Sequence, residues 1–151
     1  MTILIDNRQS RFQPSTEAIQ EAAQALLNAL GSPEGELSVL LLDDTGIADL
    51  NEQYLGRQGA TNVIAFPMNE GEFAGINPDI LGDVVISLDT AEREAREMDL
   101  SLAERFKELL IHGILHLYGY DHETNEADAK VMEERSEVLF GEVKLIEMFR
   151  G

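Results

Sequence analysis

The sequence predicts a single-domain α+β protein in which about four strands form a mixed sheet packed with about five helices. The chain has 151 residues, of which 44% are hydrophobic. This is enough for one core and too short for two ordinary domains, so residues 1–151 are treated as one domain. The predicted elements follow the order β-α-β-α-β-β-α-α-α. The absence of cysteine excludes disulfides and thiolate metal sites.

The first third of the chain predicts a strand, a helix and a second strand. Residues 2–6 form a short β-rich run, and Ser15 is a suitable N-cap for the helix that follows. Gly31 and Pro33 end this helix. Its apolar residues recur at helical spacing: Ala18, Ile19, Ala22, Ala23, Leu26, Leu27 and Leu30. Residues 36–42 are apolar enough for a buried strand.

The middle of the chain predicts a helix and two further strands. The turn at residues 43–46 leads into a helix that ends near Gly56, and a third strand covers residues 61–66. A polar loop from Met68 to Ile80 separates it from a fourth strand at residues 81–88. A loop connection allows antiparallel pairing of these two strands, whereas the upstream β-α-β units allow parallel pairing.

Three helices are predicted in the last third. Asp89 can cap the first of them, and Ser101 with Glu104 forms a capping box for the second, which ends at Gly119. The apolar positions of this second, central helix are Leu102, Phe106, Leu109, Leu110, Ile114 and Leu117. The last helix starts near Asn125 and includes Val131, Met132, Val138 and Leu139, with Met132 predicted to belong to the core.

Charge and apolar patterning restrict the partners. The N-terminal apolar run is too short for a signal peptide, and no stretch approaches the roughly 20 apolar residues of a membrane span, so we expect a cytoplasmic protein without a membrane partner. The net charge of −18 argues against a general nucleic-acid binder. Between Phe12 and Glu92 the only basic residue is Arg57.

The three histidines of the chain, His112, His116 and His122, have the spacing of a metal site. Two histidines four residues apart on a helix lie on one face, and Gly119 allows the chain to turn back and present the third. Three protein ligands leave one tetrahedral position for water, as in catalytic zinc sites. The spacing therefore predicts one Zn²⁺ at the end of the central helix.

Two specific interpretations of this metal site follow from the same residues. The spacing matches that of zinc peptidases, but Gly113 stands where those enzymes carry their glutamate base. A metal that only stabilises the fold would use a fourth protein ligand, such as Asp121 or Glu123. A metallopeptidase and a binding factor with a structural metal therefore remain alternatives.

At these residues the chain resembles the YbeY endoribonuclease family of bacteria. Residues 112–122 resemble the family signature H-G-x-L-H-L-x-G-Y-D-H throughout. Residues 61–67 resemble its T-[DN]-V-L-S-F-P strand, with Ala65 in place of serine, and residues 81–87 resemble its L-G-D-I-x-I-S strand. The family often has an arginine where this chain has Leu55, and Arg57 follows two residues later.

The resemblance implies a single-domain α+β fold, a zinc ion on the three histidines, and cleavage that prefers single-stranded RNA. It also implies a role in rRNA 3′-end processing and ribosome quality control, with the ribosome or ribosomal proteins as partners. A ribosome-assembly factor whose metal is structural is the alternative from a different functional class.

Three further residues are candidates for the site. Arg57 is predicted in a loop, either as a phosphate contact or as a solvated arginine. Asp83 lies in a strand that is otherwise apolar, so it either supports the site through a hydrogen bond or points to solvent. Asp121 neighbours His122 and either orients a ligand histidine or caps a turn.

Overall fold

A computed structural model describes residues 3–68, 79–120, 125–142 and 148–150, and it confirms the predicted α+β fold. Within these ranges, a four-stranded mixed sheet and a two-stranded sheet accompany five helices. The elements are β1 (Ile3–Asn7), β2 (Gln13–Pro14), α1 (Thr16–Ala29), β3 (Glu36–Leu42), α2 (Asp44–Leu55), β4 (Val63–Pro67), β5 (Ile80–Ser87), α3 (Leu88–Glu97), α4 (Leu102–Leu117), α5 (Glu126–Glu142) and β6 (Phe149–Arg150).

The main sheet has the strand order β1-β3-β5-β4, which leaves β4 at one edge. The β1–β3 and β3–β5 pairs are parallel, with Val39 opposite Val84. The β4–β5 pair is antiparallel, with Ala65 opposite Val84, as the loop between these strands allows. The pairing of β2 with β6 was not predicted, because two-residue strands carry no periodic pattern.

The two faces of the main sheet are covered differently. Val84 of β5 points into the large core, which is built with residues of α1, α3, α4 and α5, including Phe106 and Met132. Met132 is buried, as predicted. Val85, the next residue, points to the opposite face because side chains alternate along a strand. There it joins a smaller cluster with Ile47 of α2.

Helix α4 lies at the centre of the domain. Its N-terminus carries the predicted capping box, in which Ser101 accepts the backbone N–H of Glu104 and Glu104 accepts that of Ser101. Its C-cap is Tyr118, and Gly119 follows with φ of +91°. The helix contacts α3, α5, β4 and β5. Its position is therefore fixed on the sheet and on both neighbouring helices.

Several predicted boundaries are corrected by the structure. The N-cap of α3 is Ser87 and not Asp89, whose carboxylate instead accepts bonds from Arg11 at 3.0 Å and from the Asp44 backbone N–H at 3.1 Å. Strand β4 covers 63–67 instead of 61–66. Val131 and Val138 of α5 are exposed and do not join the core.

Among the helices of the described ranges, none is long and apolar enough to cross a membrane.

Candidate active site

The candidate site is built on the last two turns of α4. His112 and His116 are both half-buried, their Nε2 atoms are 3.1 Å apart, and their ring centroids are 4.7 Å apart. The Nε2 atoms of the two histidines therefore face the same point beside the helix. Two nitrogen ligands about 2.0–2.1 Å from one ion, at a tetrahedral angle, would be about 3.3 Å apart, so the pair suits a shared zinc ion.

The predicted third ligand, His122, and the neighbouring Asp121 lie outside the described residues. Within the described ranges no group of three metal-ligating side chains is found. The chain does turn directly after the histidine pair. The backbone N–H of Tyr120 donates to the Leu115 carbonyl and that of Gly119 donates to the His116 carbonyl, which is the Schellman arrangement of a helix end.

Gly113 explains how α4 can lie so close to the sheet. A Cβ atom built on Gly113 would be 2.6 Å from Cγ1 of Val84 and 3.2 Å from Cγ2 of Val63. The position next to His112 therefore faces the sheet and has no room for a side chain. A glutamate base in the manner of zinc peptidases cannot be accommodated at this position.

A cleft of about 690 Å³ opens beside the histidine pair. One wall is α4 with His112 and His116, another is the edge strand β4 with the residues before it, and a third is the loop after α2. Arg57 is exposed in this loop and lines the same cleft as both histidines. The structure thus brings Arg57 to the same cleft as His112 and His116, which follow it by more than fifty positions in sequence.

Asn51 fixes the loop that carries Arg57. It is 5% exposed, its backbone carbonyl accepts the Arg57 N–H at 3.3 Å, and its side-chain amide donates to the Gly59 carbonyl at 2.9 Å. Gly56 ends α2 in the left-handed conformation with φ of +65°. Sequence reasoning missed Asn51, although a polar residue one helical turn after the buried Ile47 was a usable signal.

Asp83 does not join the histidines. It is exposed and precedes Val84, whose side chain meets α4, so it lies on the other face of β5. There it borders a groove shared with Asp6 and Arg8. A hydrogen-bonding role for Asp83 at the metal centre is therefore not supported, and the solvent-facing alternative describes its position.

A hydrogen-bonded chain that was not predicted runs behind the cleft. The Asn62 amide donates to both carboxylate oxygens of Glu94, at 3.2 and 3.3 Å. The Arg105 guanidinium donates to Glu94 at 3.0 Å and to Glu108 at 2.9 Å. These bonds connect the residue before β4 with α3 and α4. They fix the edge strand against the helix that carries the histidines.

The fold and the site define an α+β protein whose candidate active centre is a histidine pair on the central helix, beside a cleft with an arginine in its lining. The sequence model described as Endoribonuclease YbeY matches residues 4–144. The chain therefore belongs to the endoribonuclease YbeY family.

Relatives of that name are similar over most of the chain. The Geobacter sulfurreducens protein is 48% identical over 141 residues, which cover 93% of this chain and 94% of that protein. The Aquifex aeolicus protein is 49% identical over 118 residues, which cover 78% of this chain and 77% of that protein. A Thermotoga maritima protein, solved in solution, matches with a TM-score of 0.65 and 27% identity, over 93% of this chain and 87% of that one.

Proposed function

We propose that this protein is a zinc-dependent endoribonuclease that prefers single-stranded RNA and acts in rRNA 3′-end maturation and ribosome quality control. The observation that carries the proposal is the meeting of His112, His116 and Arg57 at one cleft, in a chain of an endoribonuclease family. The partners are then rRNA and, through it, the ribosome or its proteins in the cytoplasm.

His112 and His116, with His122 from outside the described residues, would hold the metal. Imidazole is a common zinc ligand, and the 3.1 Å separation of the two Nε2 atoms suits one ion. Bound zinc supplies a Lewis acid that polarises a phosphoryl oxygen and makes water nucleophilic near neutral pH. The nucleophile would be either a water molecule or the ribose 2′-OH, and a 2′,3′-cyclic phosphate product would identify the second route.

Arg57 would bind and orient the substrate phosphate. A guanidinium presents two parallel N–H groups that match two phosphate oxygens, which fixes orientation as well as position. Asn51 would position this arginine, because it bonds to the loop on both sides of it. Arg57, which lines the same cleft as Leu55, would then take the role of the arginine that the family often carries at the position of Leu55.

The proposed preference for single-stranded RNA follows from the small number of basic side chains at the histidine cleft. Recognition of duplex RNA uses contacts to phosphates across successive grooves, which need an extended basic surface. Among the described residues that line the histidine cleft, Arg57 is the only lysine or arginine, and the net charge of the chain is −18. A flexible strand can place one phosphate at Arg57 without bringing a second backbone close to the acidic surface.

The first experiment measures zinc content together with RNA cleavage. His116→Ala should lose most of the metal and the cleavage activity, whereas Ser101→Ala, at the other end of α4, should keep both. Matched single-stranded and duplex substrates should be cut at different rates. Full zinc stoichiometry in His116→Ala would exclude the proposed ligand set, and equal rates on the two substrates would contradict the single-strand preference.

The second experiment tests the phosphate contact. Arg57→Ala should keep its zinc and its fold but cleave RNA more slowly, because a lost charge-assisted bond is worth about 1.5–3 kcal/mol, or roughly ten- to a hundredfold. Arg57→Lys keeps the charge without the bidentate geometry, and its rate of RNA cleavage should lie between those of the wild type and Arg57→Ala. Unchanged kinetics in Arg57→Ala would assign phosphate binding to other groups.

The two alternatives make different predictions. A metallopeptidase would need a base other than residue 113, because Gly113 faces Val84 with no room for a side chain. A ribosome-assembly factor with a structural metal should still complement a null strain when a ligand is substituted and the fold persists. Complementation by folded His116→Ala would favour that factor over the nuclease.

A further inference from the structure

A second cleft of about 690 Å³ adjoins the histidine cleft. It lies between α4 and α5, and we call it the α4–α5 cleft. The two clefts share Asn62, Val63 and His112 in their linings. We propose that the α4–α5 cleft binds the base of a nucleotide next to the scissile phosphate of single-stranded RNA. This inference rests on the proposed function, because it takes RNA as the substrate.

The shared residues place the α4–α5 cleft on the path of the substrate. His112 lines both clefts, whereas Arg57 and His116 line only the histidine cleft. A strand whose phosphate lies between Arg57 and the histidine pair can therefore direct a neighbouring nucleotide past His112. The next space available to it is the α4–α5 cleft.

The size and lining of this cleft suit a nucleobase. Its volume lies within the range of about 300–1,000 Å³ typical of small-molecule sites. Leu109, Met132 and Phe140 supply apolar and aromatic surface for the flat faces of a base. The Phe140 ring is held in place by the Lys107 ammonium, whose Nζ lies 4.0 Å from the ring centroid.

The charged groups of the cleft favour a base over a phosphate. Glu108, Glu133 and Glu137 contribute to the lining. The guanidinium of Arg105 bonds to Glu94 and Glu108, so its charge is balanced within the protein. Carboxylates repel phosphate but accept hydrogen bonds from amino and imino groups. The cleft should therefore bind guanine, adenine or cytosine, which carry amino groups, better than uracil, whose one imino N–H on the pairing edge lies between two carbonyl oxygens that a carboxylate repels.

The carboxylate of Glu108 is already oriented to accept a hydrogen bond from a base. Its Oε1 accepts a bond from Nη1 of Arg105 at 2.9 Å, and its side chain is 37% exposed. Its Oε2 has no hydrogen bond to any residue that the structure describes. Because Arg105 is itself fixed by Glu94, the free carboxylate oxygen is held in one orientation. It can accept an N–H group without first being ordered.

The test is an abasic scan of RNA binding. Fluorescence anisotropy gives the dissociation constants of 2′-O-methyl hexanucleotides in which each base in turn is removed. For the wild type, one position should lose about 5- to 150-fold in affinity, the range expected for a stacked base. Ser136→Phe fills the cleft from a half-buried position on α5. In this variant the penalty at that position should disappear.

A second pair of variants tests the carboxylates without changing volume. Glu133→Gln/Glu137→Gln removes two charges from the lining and should reduce the preference for amino-bearing bases over uracil. Glu126→Gln/Glu134→Gln makes the same charge change on the same helix, outside the cleft, and should leave the preference unchanged. This pair keeps the proposal testable even if Ser136→Phe does not fold.

Each outcome separates this inference from the proposed function. If the abasic penalty is equal in wild type and folded Ser136→Phe, or if no position shows a penalty, the cleft does not bind a base. That result, together with normal cleavage, overturns this inference alone and leaves the cleft to another occupant such as a basic peptide. Conversely, a penalty that disappears on filling, in a protein that cuts no RNA, supports base binding and overturns the nuclease.

Discussion

Gly113→Ala is expected to destabilise the domain and to weaken the proposed metal site, although alanine is the better helix former. The added methyl group would lie 2.6 Å from Cγ1 and 3.2 Å from Cγ2 of Val84, a side chain that is fully buried in β5. Carbon atoms in contact are normally about 3.5–4.0 Å apart. Either α4 or the sheet must therefore move by roughly an ångström next to His112.

The magnitude follows from two opposing effects. Overpacking of a core by one methyl group costs about 1–3 kcal/mol. Replacement of glycine by alanine within a helix returns up to about 1 kcal/mol. We expect a net loss of about 1 kcal/mol in the free energy of unfolding, or a fall of about 2–4 °C in melting temperature for a chain of this size.

Urea denaturation and zinc affinity are the two measurements. Gly113→Ala should lower both, and it should cost less stability in a Val84→Ala background than in the wild type, since that background lacks the clashing methyl groups. The matched control is Ser101→Ala, which should also cost about 1 kcal/mol by removing an N-cap. It acts at the far end of α4 and should leave zinc affinity unchanged. A Gly113→Ala protein as stable as the wild type would refute the close approach of helix and sheet.

Four further outcomes are expected. The carboxylate of Asp44 is partly desolvated, which raises its pKa, but hydrogen bonds from Thr90, Arg93 and Ser87 together hold the pKa below its ordinary value of 3.8. The stability it contributes is therefore present above that value and lost as the pH falls through the lower folded pKa, so Asp44→Asn should differ most from wild type near neutral pH and least in acid unfolding curves. Gly82→Ala should fail to fold, since its Cβ would clash with the backbone oxygen of Phe66 at φ of +137°, and a soluble protein with a native circular dichroism spectrum would contradict this. Asn51→Ala should slow RNA cleavage and add no further loss in an Arg57→Ala background, because both act through one contact, and additive losses would separate them. Finally, log Kd for single-stranded RNA should rise with log salt with a slope of about 0.7, the value for one neutralised phosphate, and a slope of several would reveal contacts beyond Arg57.

Local sequence signals predicted the element that carries the site. The apolar spacing of α4, its Ser101–Glu104 capping box and the turn at Gly119 are all contained within twenty residues, and the structure confirms each of them. The histidine pair on one face follows directly from helix geometry. Arg57 lines the same cleft as this pair because β4 pairs antiparallel with β5. The local sequence allowed this pairing but did not predict it.

The wrong or undecided predictions concern residues for which the local sequence allows two arrangements and tertiary contacts select one. Ser87 and Asp89 are both good N-caps, and the choice falls on Ser87 because Asp89 bonds to Arg11 and to the Asp44 backbone. Asp83 was ambiguous because an apolar run does not show which face of a strand a polar residue takes. The structure places it away from the histidines, across the sheet.

The acidic composition is compatible with an RNA substrate because the acidic and basic side chains lie in different parts of the surface. A net charge of −18 opposes the approach of any polyanion, so affinity cannot come from the overall field. Under the proposed function, binding would rest on a few directed contacts, made by an arginine in the loop that Asn51 fixes, by the proposed metal on the histidines, and by the α4–α5 cleft to one base. Carboxylates line the α4–α5 cleft, whereas none of the described residues that line the histidine cleft is acidic. Repulsion from the α4–α5 cleft would therefore favour a phosphate position at the histidine pair. Discrimination among RNA sites should therefore depend on the base beside the cut and on whether the strand is free to unstack it.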